Sequence, residues 1–157
     1  MKTNNKTRLK NEQKFHDERF AHDDKLRLNI KKYYVINQLA LKKYYTIISS
    51  ISNNKKLLEY GCGTGDNINI IKKNNTFSIT GIDISPEGIR KAREKNNHNN
   101  LNIDYFVMDA ENTTFEDNTF DIIVGQGIIH HLNLEKIYIE TSRILNKNGH
   151  AIFMEPL

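Results

Sequence analysis

The sequence predicts an α/β domain built on a doubly wound, mostly parallel sheet with helices on both faces and a helical segment ahead of it. Three observations carry this. From Lys56 onward, short apolar runs of strand length alternate with stretches of helical periodicity, the pattern of successive strand-helix-strand units. The first apolar run, Leu57-Leu58-Glu59-Tyr60, passes directly into Gly61-Cys62-Gly63-Thr64-Gly65, whose three glycines allow bare backbone to approach a ligand. The polar residues that stand out, Asp83, Asp109 and the segment Gln126 to His131, fall just after predicted strands, where a sheet of this topology binds its ligands. At 157 residues the chain reads as one domain, large enough to bury about two thirds of its unfolded surface.

Residues 1–12 lack apolar periodicity and read as a disordered or frayed arm. Residues 13–55 are expected to form a helical cap of one short and one long helix, with Ile30, Tyr33, Tyr34, Asn37, Leu41, Tyr44, Tyr45 and Ile48 making one wide stripe. After Asn53-Asn54 the period changes and the core, residues 56–157, begins. Its strands are expected at Lys56–Tyr60, Phe77–Asp83, Ile103–Met108, Phe120–Gly125 and His150–Glu155. Ser85 before Pro86 reads as an N-cap with proline at the first helical position, Ile89 and Ala92 facing inward. Asn133 opens a later helix that turns Leu134, Ile137, Tyr138, Thr141, Ile144 and Leu145 to its buried side and ends at Gly149.

The formal charge of +4 conceals an asymmetry. Residues 1–56 carry 14 Lys and Arg against 5 Asp and Glu, and residues 57–157 carry 9 against 14. A basic arm suits nucleic acid or an anionic substrate, and a solvated helical face accounts equally for Lys residues dispersed among many Asn. The single cysteine, Cys62, excludes an internal disulfide, and its place between two glycines suggests a small filler rather than a nucleophile. There is no run of 18 apolar residues and no charged-then-apolar leader, so neither a membrane span nor a signal peptide is expected and the expected location is cytoplasmic.

The glycine spacing selects among cofactors. A dinucleotide loop, G-x-G-x-x-G, needs glycine at position 66, where this chain has Asp66, a poor neighbour for a pyrophosphate. A nucleotide carrying a cation fits better. Asp83, 18 residues after Gly65, can accept hydrogen bonds from both hydroxyls of a ribose; the alternative is a helix-capping role, which Ser85 already fills. Asp109 suits the exocyclic amine of an adenine, with Met108 and Ala110 beside the ring, or else caps its loop. Glu59 lies inside an otherwise apolar strand, and an unpartnered buried carboxylate there costs several kcal/mol unless an ammonium group of the ligand meets it. His130 and His131 follow the fourth strand, as general bases, substrate contacts or structural residues. Adjacent histidines in a strand or loop point apart and no acidic ligand motif accompanies them, so no metal is expected.

Together these residues resemble a class I S-adenosylmethionine-dependent methyltransferase of the small-molecule type, across roughly residues 13–157. Glu59-Tyr60-Gly61-Cys62-Gly63-Thr64-Gly65 is similar to the family's glycine motif beside the amino-acid part of the cofactor, Gly81-Ile82-Asp83-Ile84-Ser85 to its ribose segment and Asp109-Ala110 to its adenine segment. Phe120-Asp121-Ile122-Ile123 resembles the fourth strand, and Lys147-Asn148-Gly149-His150-Ala151 the turn into the fifth. The resemblance implies a Rossmann-like fold and S-adenosyl-L-methionine as cofactor, with S-adenosyl-L-homocysteine as product. It implies methyl transfer to an oxygen, nitrogen or carbon acceptor, with Gln126, His130 and His131 on the acceptor side and Gln126 also beside the cofactor. Phe15 to Phe20 and Lys32-Tyr33-Tyr34 look like the cap of small-molecule members, and His16, Tyr33 and Tyr34 are then expected to line a lid.

The family's sheet has seven strands, and this chain supplies about five, without the C-terminal hairpin. The fifth strand is therefore expected to present an edge, either because the chain is a fragment of a longer protein or because a second copy or a partner chain covers it. The motif for amino methylation of nucleic-acid bases is absent after the fourth strand, and no cysteine stands where carbon-5 methylation of pyrimidines needs one. A small-molecule acceptor is expected and nucleic acid is not. Two alternatives stand beside this: an RNA-binding or RNA-methylating protein using the basic arm, and a catalytically silent cofactor-binding subunit or fragment.

Overall fold

A computed structural model describes residues 5–21, 31–99 and 101–155, with residue 5 and residues 31–36 described in their backbone alone. Five strands form one parallel sheet: β1 (Lys56–Tyr60), β2 (Ser78–Asp83), β3 (Ile103–Val107), β4 (Phe120–Gln126) and β5 (Leu145–Met154), in the order β3-β2-β1-β4-β5. Helices α1 (Asn5–Ala21) and α2 (Lys31–Ser49) precede the sheet. α3 (Asp66–Asn74) joins β1 to β2, α4 (Pro86–Asn99) joins β2 to β3, and α5 (Leu134–Ile144) joins β4 to β5. The first crossovers move outward from β1 to β3, and the chain then returns to the other side of β1 as β4. This reversal opens a crevice beyond the carboxyl ends of β1 and β4, and the glycine turn lies there.

Period-two alternation divides the strand residues between two faces, except at Phe120, which lies across the register shift before Ile122. Leu57, Ile79, Ile103, Tyr105, Ile122 and Val124 pack under α2, α3 and α4, through Tyr44, Ile48, Ile68, Ile71, Ile89 and Ala92. Leu58, Tyr60, Ile82, Phe120 and Ile123 pack on the other side against Ile137 and Ile144 of α5 and against Ala110, Met108 and Phe115 of the loop between β3 and β4. Gly81 of β2 is paired with Glu59, and a Cβ there would stand 2.6 Å from Ile68 Cδ1 and 2.9 Å from the Tyr105 ring. Only a bare backbone lets α3 and β3 close over the middle of that strand.

Several expectations are corrected. The arm expected to be frayed over residues 1–12 is helical from Asn5, because α1 lies on the core and is tied to it by Arg8, whose guanidinium donates to Glu111 Oε1 at 2.5 Å and to the His131 carbonyl at 3.0 Å. The two helices of residues 13–55 do not form one cap. α1 lies over the crevice, whereas α2 contributes Tyr44 and Ile48 to the core beneath the sheet.

α5 stops at Ile144, not at Gly149. Its last carbonyls are taken by the turn before β4, with Asn118 N–H donating to the Arg143 carbonyl at 2.9 Å and Thr119 N–H to that of Ile144 at 2.8 Å, and β5 begins at once. Gly149 instead sits within β5, beside the register shift opposite Phe120 and Ile122, where a Cβ would stand 2.6 Å from Leu145 Cδ1. The buried side of α5 also differs: Ile137, Glu140 and Ile144 face inward, and Leu134 and Tyr138 are 67% and 74% exposed. Apolar residues surround this helix, so its phase is set by a polar lock. Glu140 Oε1 accepts from Thr113 N–H at 2.9 Å, from Thr113 Oγ1 at 2.5 Å and from Arg143 at 2.6 Å.

Candidate functional site

The crevice is a cavity of about 520 Å³. Its floor comes from the turn after β1, where Gly61, Gly63 and Gly65 have φ of +63°, +51° and +77°. At Gly63 a Cβ would meet Phe20 of α1 at 2.9 Å, and at Gly65 it would meet the Tyr105 hydroxyl at 2.6 Å, so these two positions need glycine for space as well as for φ. Gly65 does not line the cavity; it caps α3. Asp66 opens that helix, accepts from Thr64 Oγ1 at 2.9 Å and pairs with Lys95 at 2.8 Å. The helix N-terminus thus already carries a carboxylate, which disfavours a pyrophosphate there.

Glu59 points from β1 into the crevice on the α3 side and is 2% exposed. Its Oε1 accepts from Asn67 Nδ2, and its Oε2 is buried without a hydrogen-bond partner. Burial pushes its pKa up to about 8, against the lowering effect of Asn67. Asn67 is the hub of a polar network: its Oδ1 accepts from the Tyr45 hydroxyl at 2.8 Å and from Gln126 Nε2 at 2.9 Å, and its Nδ2 also reaches the Tyr44 hydroxyl at 3.3 Å.

Asp83 ends β2 at the cavity wall. Its Oδ2 accepts from Gly63 N–H and its Oδ1 from Ser85 N–H, each at 2.8 Å, so one carboxylate fixes both the glycine turn and the entry to α4. Burial raises its pKa and those two N–H groups offset part of the rise. Each oxygen retains a further lone pair for a ligand. Ser85 caps α4 as expected, its Oγ accepting from Gly88 N–H at 3.0 Å, and it donates to Asp17 of α1. Asp109 lines the cavity with Met108, Ala110 and Ile84, and its Oδ1 accepts from Glu111 N–H at 2.9 Å, so it also caps its loop. Cys62 is buried, and burial raises its thiol well above the ordinary range, which keeps it protonated and unreactive at neutral pH.

After β4 the chain forms a short 3₁₀ turn, Ile129–His131. His130 and His131 both line the cavity, and their rings stand 4.1 Å apart between centroids rather than pointing apart, because the segment is a tight turn and not an extended strand. Glu155, which follows β5, folds the turn inward. Its Oε1 accepts from Ile128 and Ile129 N–H at 3.0 and 2.9 Å, and its Oε2 meets His130 Nδ1 at 2.6 Å. Burial raises the Glu155 pKa, but His130 and the backbone donors outweigh it and hold the carboxyl below its usual range. Burial, and then His130, hold the His131 imidazole below its ordinary value.

The structure therefore gathers Glu59, Gly61, Cys62, Gly63, Thr64, Asp83, Ile84, Asp109, Ala110, Gln126, His130 and His131 around one cavity, and α1 adds His16. The side chains of Tyr33 and Tyr34 lie outside the described residues. Sequence reasoning missed Asn67, Glu155, Arg8 and Glu12. A polar residue at the first turn of α3 and another at the tip of β5 were the available signals for the first two.

Residues 58–153 match the profile of the methyltransferase domain family. The chain belongs to that family. The domain is 28% identical over 103 residues to a phthiotriol/phenolphthiotriol dimycocerosates methyltransferase of Mycobacterium ulcerans, an alignment covering 64% of this chain and 37% of that protein. A solved structure of a protein from Pyrococcus horikoshii is 28% identical with a TM-score of 0.64, over 83% of this chain and 59% of that one. Geranyl diphosphate C-methyltransferase from Streptomyces coelicolor, solved with Mg²⁺, geranyl diphosphate and S-adenosyl-L-homocysteine, shares the fold with a TM-score of 0.77 at 10% identity, over 93% of this chain and 63% of that one. The chain spans less than half the length of the curated relatives it matches. Among the described residues no helix is long and apolar enough to cross a membrane.

Proposed function

We propose that this chain is the S-adenosyl-L-methionine-binding part of a cytoplasmic methyltransferase that moves a methyl group to an oxygen or nitrogen atom of a small molecule. The observation that carries this is the Glu59 carboxylate, whose unpartnered Oε2 is buried at the wall of the cavity beside the glycine turn. An α-ammonium group satisfies it; a nicotinamide dinucleotide has none to offer. Asp83 receives the ribose hydroxyls on its remaining lone pairs, and Asp109 with Met108 and Ala110 receives the adenine. Gln126, through Asn67, holds the floor beneath the amino-acid end.

When bound, the cofactor supplies a methyl group already activated by its sulfonium. The protein aligns the acceptor, excludes water and, where the acceptor is protonated, removes its proton. His130 is placed for that last task. An ionised Glu155 only accepts hydrogen bonds, so Nδ1 of His130 carries the hydrogen between them and Nε2 is left to accept a proton. His131 and His16 stand beside it at the rim, on the acceptor side. A second copy or a partner chain pairs with the outer edge of β5, which among the described residues has only β4 as a neighbour.

Calorimetry tests the assignment. S-adenosyl-L-homocysteine is expected to bind at one per chain and to raise the melting temperature, by about 2.7 kcal/mol of stability at a hundredfold excess over its Kd. NADH is expected to do neither. Heat from NADH and none from the adenosyl compound overturns the cofactor, and tight RNA binding that falls steeply with salt moves the acceptor to nucleic acid. A monomer mass at every concentration in light scattering removes pairing of the β5 edge with a second copy.

A further inference from the structure

Glu12 and His16 lie one helical turn apart on α1, on the face turned to the cavity, and His131 meets them from the 3₁₀ turn after β4. One oxygen, Glu12 Oε2, faces His16 Nε2 at 3.7 Å and His131 Nδ1 at 3.5 Å. The three ligand atoms all lie within 4.8 Å of one another. These separations are too long for hydrogen bonds, whose donors and acceptors sit at about 2.7–3.2 Å. They match atoms that share an ion: two ligands each about 2.1 Å from a tetrahedral zinc are about 3.4 Å apart. The point equidistant from the three atoms lies about 2.4 Å or less from each, within a few tenths of an ångström of the bond length such an ion needs. The two imidazoles stand edge to face, 5.4 Å apart at 80°, so their nitrogens converge on the carboxylate instead of stacking.

We infer that Glu12, His16 and His131 form a binding site for one divalent transition-metal ion of the zinc type, which joins α1 to the rim of the cavity. Two imidazoles and one carboxylate are a donor set for such ions, and three protein ligands leave a fourth position for water or for an oxygen of a bound molecule.

The positions are set without the ion. Arg8 fastens the first half of α1 to Glu111 and to the His131 carbonyl, and Asp17 fastens the second half to Ser85. Glu111 matches the nearby Arg8 charge at 2.5 Å. Glu155 holds the His130 ring by its Nδ1, which leaves His131 as the imidazole that meets α1. The inference does not depend on the cofactor assignment, since no residue of the triad belongs to the glycine turn or to Asp83 and Asp109.

Titration of the chelator-treated chain with Zn²⁺ by calorimetry, and with Co²⁺ followed by visible absorption, tests the site. One ion per chain is expected, with the intense absorption of four-coordinate Co²⁺. His16→Ala and His131→Ala are each expected to weaken Zn²⁺ binding by at least about tenfold, and Glu12→Gln to do the same. His98→Ala and His150→Ala, at exposed positions away from the triad, are expected to leave it unchanged. Zn²⁺ should raise the melting temperature of the unaltered chain and not of the triad variants, whose circular dichroism and metal-free melting check that they fold. Absence of stoichiometric binding overturns the site, as does binding undiminished in both triad histidine variants or lost equally in the His98 and His150 variants.

Discussion

The two sides of the cavity are built by different means. On the β1-β2 side the wall is backbone and short side chains from neighbouring segments of chain: the glycine turn, Asp83 holding it through Gly63 N–H, and Glu59 one strand away. On the other side the wall is assembled from long side chains that are distant in sequence, with His16 and Glu12 of α1 brought against His131 and with Glu155 folding the turn that carries His130. The first wall is rigid because a parallel sheet and tight hydrogen bonds set each atom. The second depends on where a helix docks. A site that must hold one invariant ligand and admit variable ones gains from that division, since the docked side changes without disturbing the sheet.

The comparison breaks most sharply at Asp83. Under the proposed function, Asp83→Ala removes two charge-assisted bonds to the ribose and loosens the glycine turn, so affinity for S-adenosyl-L-homocysteine should fall by at least about 100-fold, roughly 3 kcal/mol. Calorimetry on the folded variant measures it, and Asp83→Asn, which keeps the shape, should lose less. An unchanged affinity removes Asp83 as the ribose anchor. Arg8→Ala attacks the opposite wall. It strips the arginine from Glu111, whose side chain is 1% exposed, leaving Lys136 at 3.5 Å and Asn133 N–H as partners. Arg8 is itself partly exposed, so the expected loss is about 2 kcal/mol of unfolding free energy rather than the larger figure for a fully buried pair, read from the urea midpoint. Its affinity for S-adenosyl-L-homocysteine should change by no more than a few-fold. An affinity loss equal to that of Asp83→Ala would show that the walls are not separable.

The same division decides what was legible in the sequence. The strands, the glycine turn and the carboxylates at the tips of β1, β2 and β3 are local: a period of two, a spacing of glycines and a polar residue ending an apolar run each report their own position. All five strands and the carboxylates Glu59, Asp83 and Asp109 were found that way. The first half of α1 was not, because its charged, weakly periodic sequence gives no sign that Arg8 reaches Glu111 more than a hundred residues later. The phase of α5 was misjudged for a related reason. Leu134, Tyr138 and Ile139 carry as much apolar signal as the buried Ile137 and Ile144, and Glu140, which fixes the helix, looks like a surface residue until Thr113 and Arg143 are beside it. Likewise the histidine pair lacked an acidic companion only while its neighbours were counted along the chain; in space Glu12 and Glu155 flank it.

The smallest expected effect sharpens the β1 side. Burial holds the Glu59 carboxyl at about 8, far above its ordinary 4.5, so in the free protein at pH 7 it is neutral. Between those two values the folded chain retains a proton that the unfolded chain has released, and the contribution of this group to stability falls as pH rises from about 4.5 to 8. An ammonium group brought beside Glu59 reverses the preference and expels the proton. Affinity for S-adenosyl-L-homocysteine should therefore rise with pH below 8, by about tenfold per unit between pH 6 and 7, and level off above it. At pH 7 calorimetry in buffers of different ionisation enthalpy should read close to one proton released per ligand bound. Glu59→Gln removes both the pH dependence and the proton. A binding heat that does not vary with buffer would mean that Glu59 is ionised before the ligand arrives, and the unpartnered oxygen would then be answered by water rather than by the ligand.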